Sequence, residues 1–399
     1  MPKRLWYLII GMVVNVTGAS FLWPLNTIYL HDYLGKSLSV AGMVLMLNSA
    51  ASVIGNLVGG HLFDRLGGYR AILIGIMITL SALIGLTLWH GWPHYLFFLL
   101  FIGLGSGIVF PAMYAMAGTT WKEGGRKAFN AMYVAQNIGV ALGSGLGGFI
   151  ASISIDYIFM ANLSLYVVFL LVAVFCYREI GKAVQPSTNV VNEAKPIRNL
   201  SHMYALLILC AGYLLCWVGY VQWQTTIATY TQQLHISLQE YSLLWTINGV
   251  LIVTLQPLLS YVLKKLSPSL KMQIIVGIFI FIGSFVIVAY AKEFTLFALA
   301  MVIITLGEIL IWPAVPTVAN GLAPEGREGF YQGIVNSAAT GGRMLGPLYG
   351  GLMVDLFGMA VLFITLIALC IFSIVFTLVY DRPLKRSLPS PRKKSVISS

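Results

Sequence analysis

Charge is what this sequence has least of. Only 9% of its 399 residues are Asp, Glu, Lys or Arg, against about 25% in a typical soluble domain. With 58% hydrophobic residues, that scarcity excludes both a water-soluble enzyme and a disordered chain. Acids are scarcer than bases, 13 against 24, yet the bases are too few and too scattered to track phosphates, so nucleic acid is not an expected partner. Cysteine is rare as well. Cys176, Cys210, Cys216 and Cys370 lie in apolar runs without paired spacing, which argues against a disulfide framework. No Gly-x-x-x-x-Gly-Lys-Ser/Thr loop occurs, so ATP is not expected to supply the energy. His90 and His94 are spaced like metal ligands, but Pro93 interrupts them and no third ligand is near. Neither a metal nor a cofactor is expected, nor the acid pair or nucleophile–base pair of a membrane enzyme.

Long apolar runs are what the sequence has in abundance. A membrane helix needs about 20 apolar residues, and twelve such runs can be read: 5–30, 39–62, 70–89, 95–117, 129–152, 157–177, 203–227, 241–262, 272–290, 294–319, 331–353 and 359–380. Continuous runs exclude an alternating β-barrel pattern. The reading is an all-α polytopic membrane protein, embedded in a lipid bilayer and functioning as a monomer. Counted over the loops, 21 bases fall on the side holding both termini and two on the other, which places the termini in the cytoplasm. One base and one acid, Arg343 and Glu308, are left inside spans.

The chain also repeats itself. Leu104-Gly105, Pro111-Ala112 and Ala117 recur as Leu306-Gly307, Pro313-Ala314 and Ala319. Gly139, Gly143, Gly147 and Gly148 recur as Gly342, Gly346, Gly350 and Gly351. The expected organisation is therefore a six-helix bundle over 1–178, a cytoplasmic linker over 179–201, a second six-helix bundle over 202–381 and a basic tail over 382–399. Repeats of this kind place a small-molecule site at their interface near the bilayer midplane.

The loop after the second run carries Gly60, Asp64, Arg65, Gly67 and Arg70 at the spacing of a signature loop. It resembles that of the major facilitator superfamily. The glycine series of the fifth run resembles the antiporter signature of the same superfamily, with Ser144 where Pro is usual. The eleventh run carries the Pro form, with Pro347 after Gly346. The stretch Thr305-Leu306-Gly307-Glu308 looks like the acidic site of twelve-helix multidrug exporters. The resemblance covers essentially the whole chain and implies a secondary transporter of the drug:proton antiporter branch, in a bacterial cell membrane. One departure is that Phe101 stands where many antiporters of the branch have Arg in the fourth span, and the first, fourth and fifth spans lack an acid.

These residues acquire expected roles. A carboxylate in hydrocarbon costs several kcal/mol and marks function by default, so Glu308 is the candidate proton carrier. Counting from the outer span ends puts Arg343 within about 6 Å of its height, which allows Arg343 to tune Glu308 as an ion pair, or to anchor an anionic substrate group. The loop residues Gly60, Asp64, Arg65, Gly67 and Arg70 are expected to gate the cytoplasmic mouth, as the resemblance implies. Gly139, Gly143, Gly147, Gly148, Gly342, Gly346, Pro347, Gly350 and Gly351 are expected to let helices approach closely. Polar and aromatic residues stranded at mid-span are the candidate substrate contacts. In the first half these are Asn26, Tyr29, Asn48, Gln136 and Asn137. The second half adds Tyr220, Trp223, Gln224, Trp245, Asn248, Trp312 and Asn336, whose aromatic faces suit lipophilic cations. Export of amphipathic compounds against protons is the leading expectation. A dedicated carrier or flippase for one metabolite or lipid-linked molecule, with Arg343 as anion anchor, is the alternative.

Overall fold

The computed structural model describes all residues except 23–25, 27–28, 37, 155, 179, 181–199, 267–268 and 387–399, with the side chains of 31–32, 38–39, 144, 148, 151–152, 238–239, 242, 260, 263–266 and 385–386 also left undescribed. Most of the expected linker and of the basic tail therefore lies outside the described residues, and the surroundings of Gly148 are not described.

The described chain is nearly all helix. The principal helices are α1 (Lys3–Leu22), α2 (Leu38–Leu66), α3 (Gly68–Leu88), α4 (His94–Thr120), α5 (Arg126–Ile153) and α6 (Asp156–Val172). They continue with α7 (Leu200–Tyr220), α8 (Leu238–Leu266), α9 (Leu270–Tyr290), α10 (Phe294–Ile311) and α11 (Glu328–Val379). Nine helical stretches among the described residues are long and apolar enough to cross a membrane, where twelve runs were expected. Two expected crossings fall together in α11, whose 52 residues are broken at Gly358, φ 81°. In α8 only 243–259 is strongly apolar, and α5 opens on Arg126 and Lys127 and carries Asn130, Gln136 and Asn137.

Local sequence explains the punctuation. Gly67 takes φ 82° between α2 and α3, a left-handed turn that costs a residue with a Cβ about 1–2 kcal/mol. Ser237 and Glu240 cap α8 reciprocally: the Glu240 N–H donates to Ser237 Oγ at 3.2 Å and the Ser237 N–H to Glu240 Oε2 at 2.8 Å. Pro111 lies inside α4, and Pro347 inside α11 ahead of its break at Gly358. At Pro313 the helix does break, at Trp312–Pro313, separating α10 from the short helix Ala314–Leu322.

The apolar core comes in two bodies. One is built from residues between Leu5 and Ile180, the other from residues between Ala205 and Tyr380, and Tyr133 of α5 crosses over into the second. Packing repeats between them. In the first body α4 lies against α2 and α3, and α1 against α5 and α6. In the second, α10 lies against α8 and α9, and α7 against α11. The glycine series explains the α1–α5 and α7–α11 seats. A Cβ at Gly139, Gly143 or Gly147 would press on Val16, Thr17 or Phe21 of α1, and one at Gly342, Gly346 or Gly350 on Trp217, Val221 or Gln222. Gly351 is different: it has no such neighbour within 4 Å, so the spacing of the motif overstates its packing.

Candidate functional site

Glu308 lies in the last turn of α10, at the middle of the apolar span Phe294–Leu322, and is only 3% exposed. Its oxygens are satisfied by neutral donors from three other helices. Tyr133 of α5 donates to Oε1 at 2.7 Å, while Tyr220 of α7 and Asn248 of α8 donate to Oε2 at 3.0 and 2.8 Å. Asn248 also donates to Thr305 Oγ1 at 2.9 Å, one helical turn before Glu308. Each donor is itself fixed by its helix, so the carboxyl is held by geometry rather than by a counter-charge. The position aligned with Glu308 in the first half is Ser106, which donates to Gly103 O of its own helix.

An aromatic wall borders this network. Trp312, one turn beyond Glu308, stacks on Trp217 of α7 with centroids 4.4 Å apart and planes within 7°. Tyr220 meets both indoles edge-on at 5.5 Å. The Arg343 guanidinium lies over Trp217 at 4.9 Å and donates to Thr340 Oγ1 at 3.3 Å.

Here the expected Glu308–Arg343 ion pair fails. Among the described residues no carboxylate lies within ion-pair distance of Arg343. The reason is in the packing. α10 seats on α8 and α9 whereas α11 seats on α7, so equal height does not make the two side chains neighbours, and the stacked indoles stand between their helices.

The two halves are tied together at the end that bears the termini and most bases. The Asp64 carboxylate accepts the N–H groups of Gly329 and Phe330 at 2.8 and 2.9 Å, and so caps the first turn of α11. Unpaired N–H groups and the positive pole of a helix favour an anion there. Asn56 donates to Thr340 Oγ1 at 3.3 Å, and Ser337 to Val53 O at 3.4 Å. Gly60 lies so close to Gly329 that a Cβ on either would strike the other's carbonyl oxygen. Arg65 and Arg70 are exposed, and no cross-interface bond from either is seen among the described residues.

A second tie was not legible from sequence. Pro313 has no N–H, so the Ile309 carbonyl loses its helical donor. Arg126 of the opposite half supplies one, donating to Ile309 O at 3.2 Å and Leu310 O at 3.4 Å. Arg126→Ala leaves that buried acceptor unpaired, a cost of about 1–3 kcal/mol that falls only on the closed arrangement. The expected result is a lower cross-linking yield between cysteines placed across this end; an unchanged yield would show that Arg126 does not hold it shut.

Other expected contacts lie elsewhere. Asn26 accepts from Tyr95 at 2.6 Å, and Tyr29 lies 2.6 Å from His90 Nδ1, so both belong to a cluster in the first half, away from Glu308. Asn48 packs against Gly103. Trp223 is fully buried, and Asn336 bonds back to Gln332 O. Gln224 is half-buried with no hydrogen bond among the described residues. Gln136 accepts from Tyr114 at 3.2 Å and Asn137 donates to Tyr133 O at 2.9 Å, which places both beside the network. Trp245 meets Tyr220 edge-on at 6.4 Å. Sequence reading missed Tyr133 and Trp217. Both were one turn from residues already singled out, Asn137 and Tyr220, so helical spacing was the available signal.

The model of the Major Facilitator Superfamily matches residues 8–338 and 223–398. The chain belongs to that superfamily. An uncharacterized MFS-type transporter, YttB of Bacillus subtilis strain 168, is 56% identical over all of both chains. The quinolone resistance protein NorA of Staphylococcus aureus strain COL is 21% identical, covering 89% of this chain and 91% of its own. Among solved structures, the human organic anion transporter MFSD10 superposes with TM-score 0.73 at 16% identity, covering 94% of this chain and all of its own. The superfamily's members are transporters of small molecules rather than enzymes, and this chain is a multi-pass membrane transporter with bacterial relatives.

Proposed function

We propose that this superfamily member is a proton-coupled exporter of amphipathic compounds, both termini cytoplasmic, and that Glu308 carries the proton. The observation that carries the reading is the Tyr133–Glu308 hydrogen bond, because it joins the two halves at a titratable group. A carboxylate accepts from Tyr133, Tyr220 and Asn248 together. Protonation of Oε1 turns it into a donor, so the Tyr133 hydroxyl must rotate and accept from it, while Oε2 still accepts from Tyr220 and Asn248. The bond whose direction reverses when the proton arrives is the inter-half contact. Protonation then changes the relative stability of the two arrangements, as coupling requires. Multidrug resistance and quinolone resistance proteins among the distant relatives support export.

The test is transport in liposomes under an imposed pH gradient, with a chemically varied panel of compounds. Export should rise with the gradient and fall to the passive level when an ionophore collapses it. Export that ignores the gradient would overturn proton coupling.

A further inference from the structure

Among the described residues no acid answers the charge of Arg343. It lies about midway along the first part of α11 and stays exposed, although Trp217 lies against it and Tyr114 and Tyr213 lie within electrostatic range. Glu308, the one acid expected inside a span, is fully engaged by neutral donors. An intramembrane arginine marks function by default, and among the described residues this exposed guanidinium makes one long hydrogen bond, to Thr340, which leaves its charge available to a ligand.

The aromatic wall points the same way. Trp312 occupies one face of Trp217 at 4.4 Å, which leaves Arg343 the other. The Trp217 face that could otherwise attract a cationic substrate is therefore already taken by the protein's own cation. A guanidinium over a ring face can still offer its N–H edge to a planar, bidentate acceptor.

We propose, resting on the transport reading above, that the substrate carries a carboxylate, that Arg343 binds it, and that its aromatic body meets the edge of the half-buried Trp217 ring, whose two faces are already covered. The class is an amphipathic aromatic acid or zwitterion. Arg343 is thus a substrate anchor and not a partner of the proton site.

Equilibrium binding tests this without any proton gradient, so failure of coupling and failure of the anchor can be told apart. The probes are 2-naphthoate, its neutral methyl ester and 2-naphthylmethylammonium, titrated by tryptophan fluorescence into protein in nanodiscs. Wild type should prefer the carboxylate over the ester by about tenfold, the loss expected for one charge-assisted contact. Arg343→Gln should erase that preference, and Arg343→Lys should keep part of it. Thermal stability of both Arg343 variants serves as the folding control, and Arg343→Lys alone decides the matter if Arg343→Gln is unstable. Equal or tighter binding of the ester or the ammonium by wild type overturns the proposal, as does an unchanged preference in a folded Arg343 variant.

Discussion

Glu308→Gln should abolish gradient-driven transport while leaving equilibrium binding of substrate close to wild type. Gln has the shape of a protonated carboxyl group. Its carbonyl can accept from Tyr220 and Asn248 as Oε2 does now, at 3.0 and 2.8 Å, and its amide can donate to a rotated Tyr133 hydroxyl. The packing therefore survives, but the titration is gone. One proton moving down 100 mV provides about 2.3 kcal/mol, equivalent to about a fiftyfold concentration ratio. That ratio is what the variant should lose, measured as substrate accumulated by liposomes of wild type and variant at the same imposed gradient. Accumulation by the variant at the wild-type ratio would move proton coupling to another group.

Gly60→Val should hold the basic end open. A Cβ at Gly60 meets the carbonyl carbon of Gly329 and the Cα of Phe330, and one at Gly329 meets Phe63. These contacts are largely backbone to backbone, so no side chain can rotate away. Overpacking of this kind costs about 1–3 kcal/mol. The same separation would draw Asp64 off the two N–H groups at the start of α11. Both costs fall on the closed state alone, so its population should drop at least five- to 150-fold. Transport should fall with it, because a transporter that cannot close at one face cannot complete a cycle. Cross-linking between cysteines on the α2–α3 turn and on the loop before Glu328 reads the closure directly. Normal cross-linking with normal transport would show that α2 and α11 need not meet during the cycle.

The two predictions rest on residues that the sequence exposed to different degrees. Glu308 was visible because an acid in an apolar run is conspicuous wherever it falls. Gly60 and Asp64 were visible as a spaced loop signature, but their partners were not: Gly329 and Phe330 lie more than 260 residues away, and nothing in either segment names the other. Tyr133 was hidden for a related reason. A tyrosine in a membrane helix reads as packing or as an interfacial ring, and only the meeting of α5 with α10 gives its hydroxyl a carboxylate to bond. Arg126 read as one more loop base until the break at Pro313 was seen to leave a carbonyl for it.

By itself the sequence determined the environment, the helical class and the duplicated plan, because the cost of burying charge in hydrocarbon and the length of a bilayer span act on each segment separately. The tertiary structure alone decided which of the few charges meet. It separated Arg343 from Glu308, although their heights are similar, since the angular placement of α10 and α11 depends on which neighbours each glycine-lined face seats against. It also gave Asp64 a helix end rather than a basic side chain as its partner. Sparse charge thus identified the candidates, and long-range packing assigned their partners.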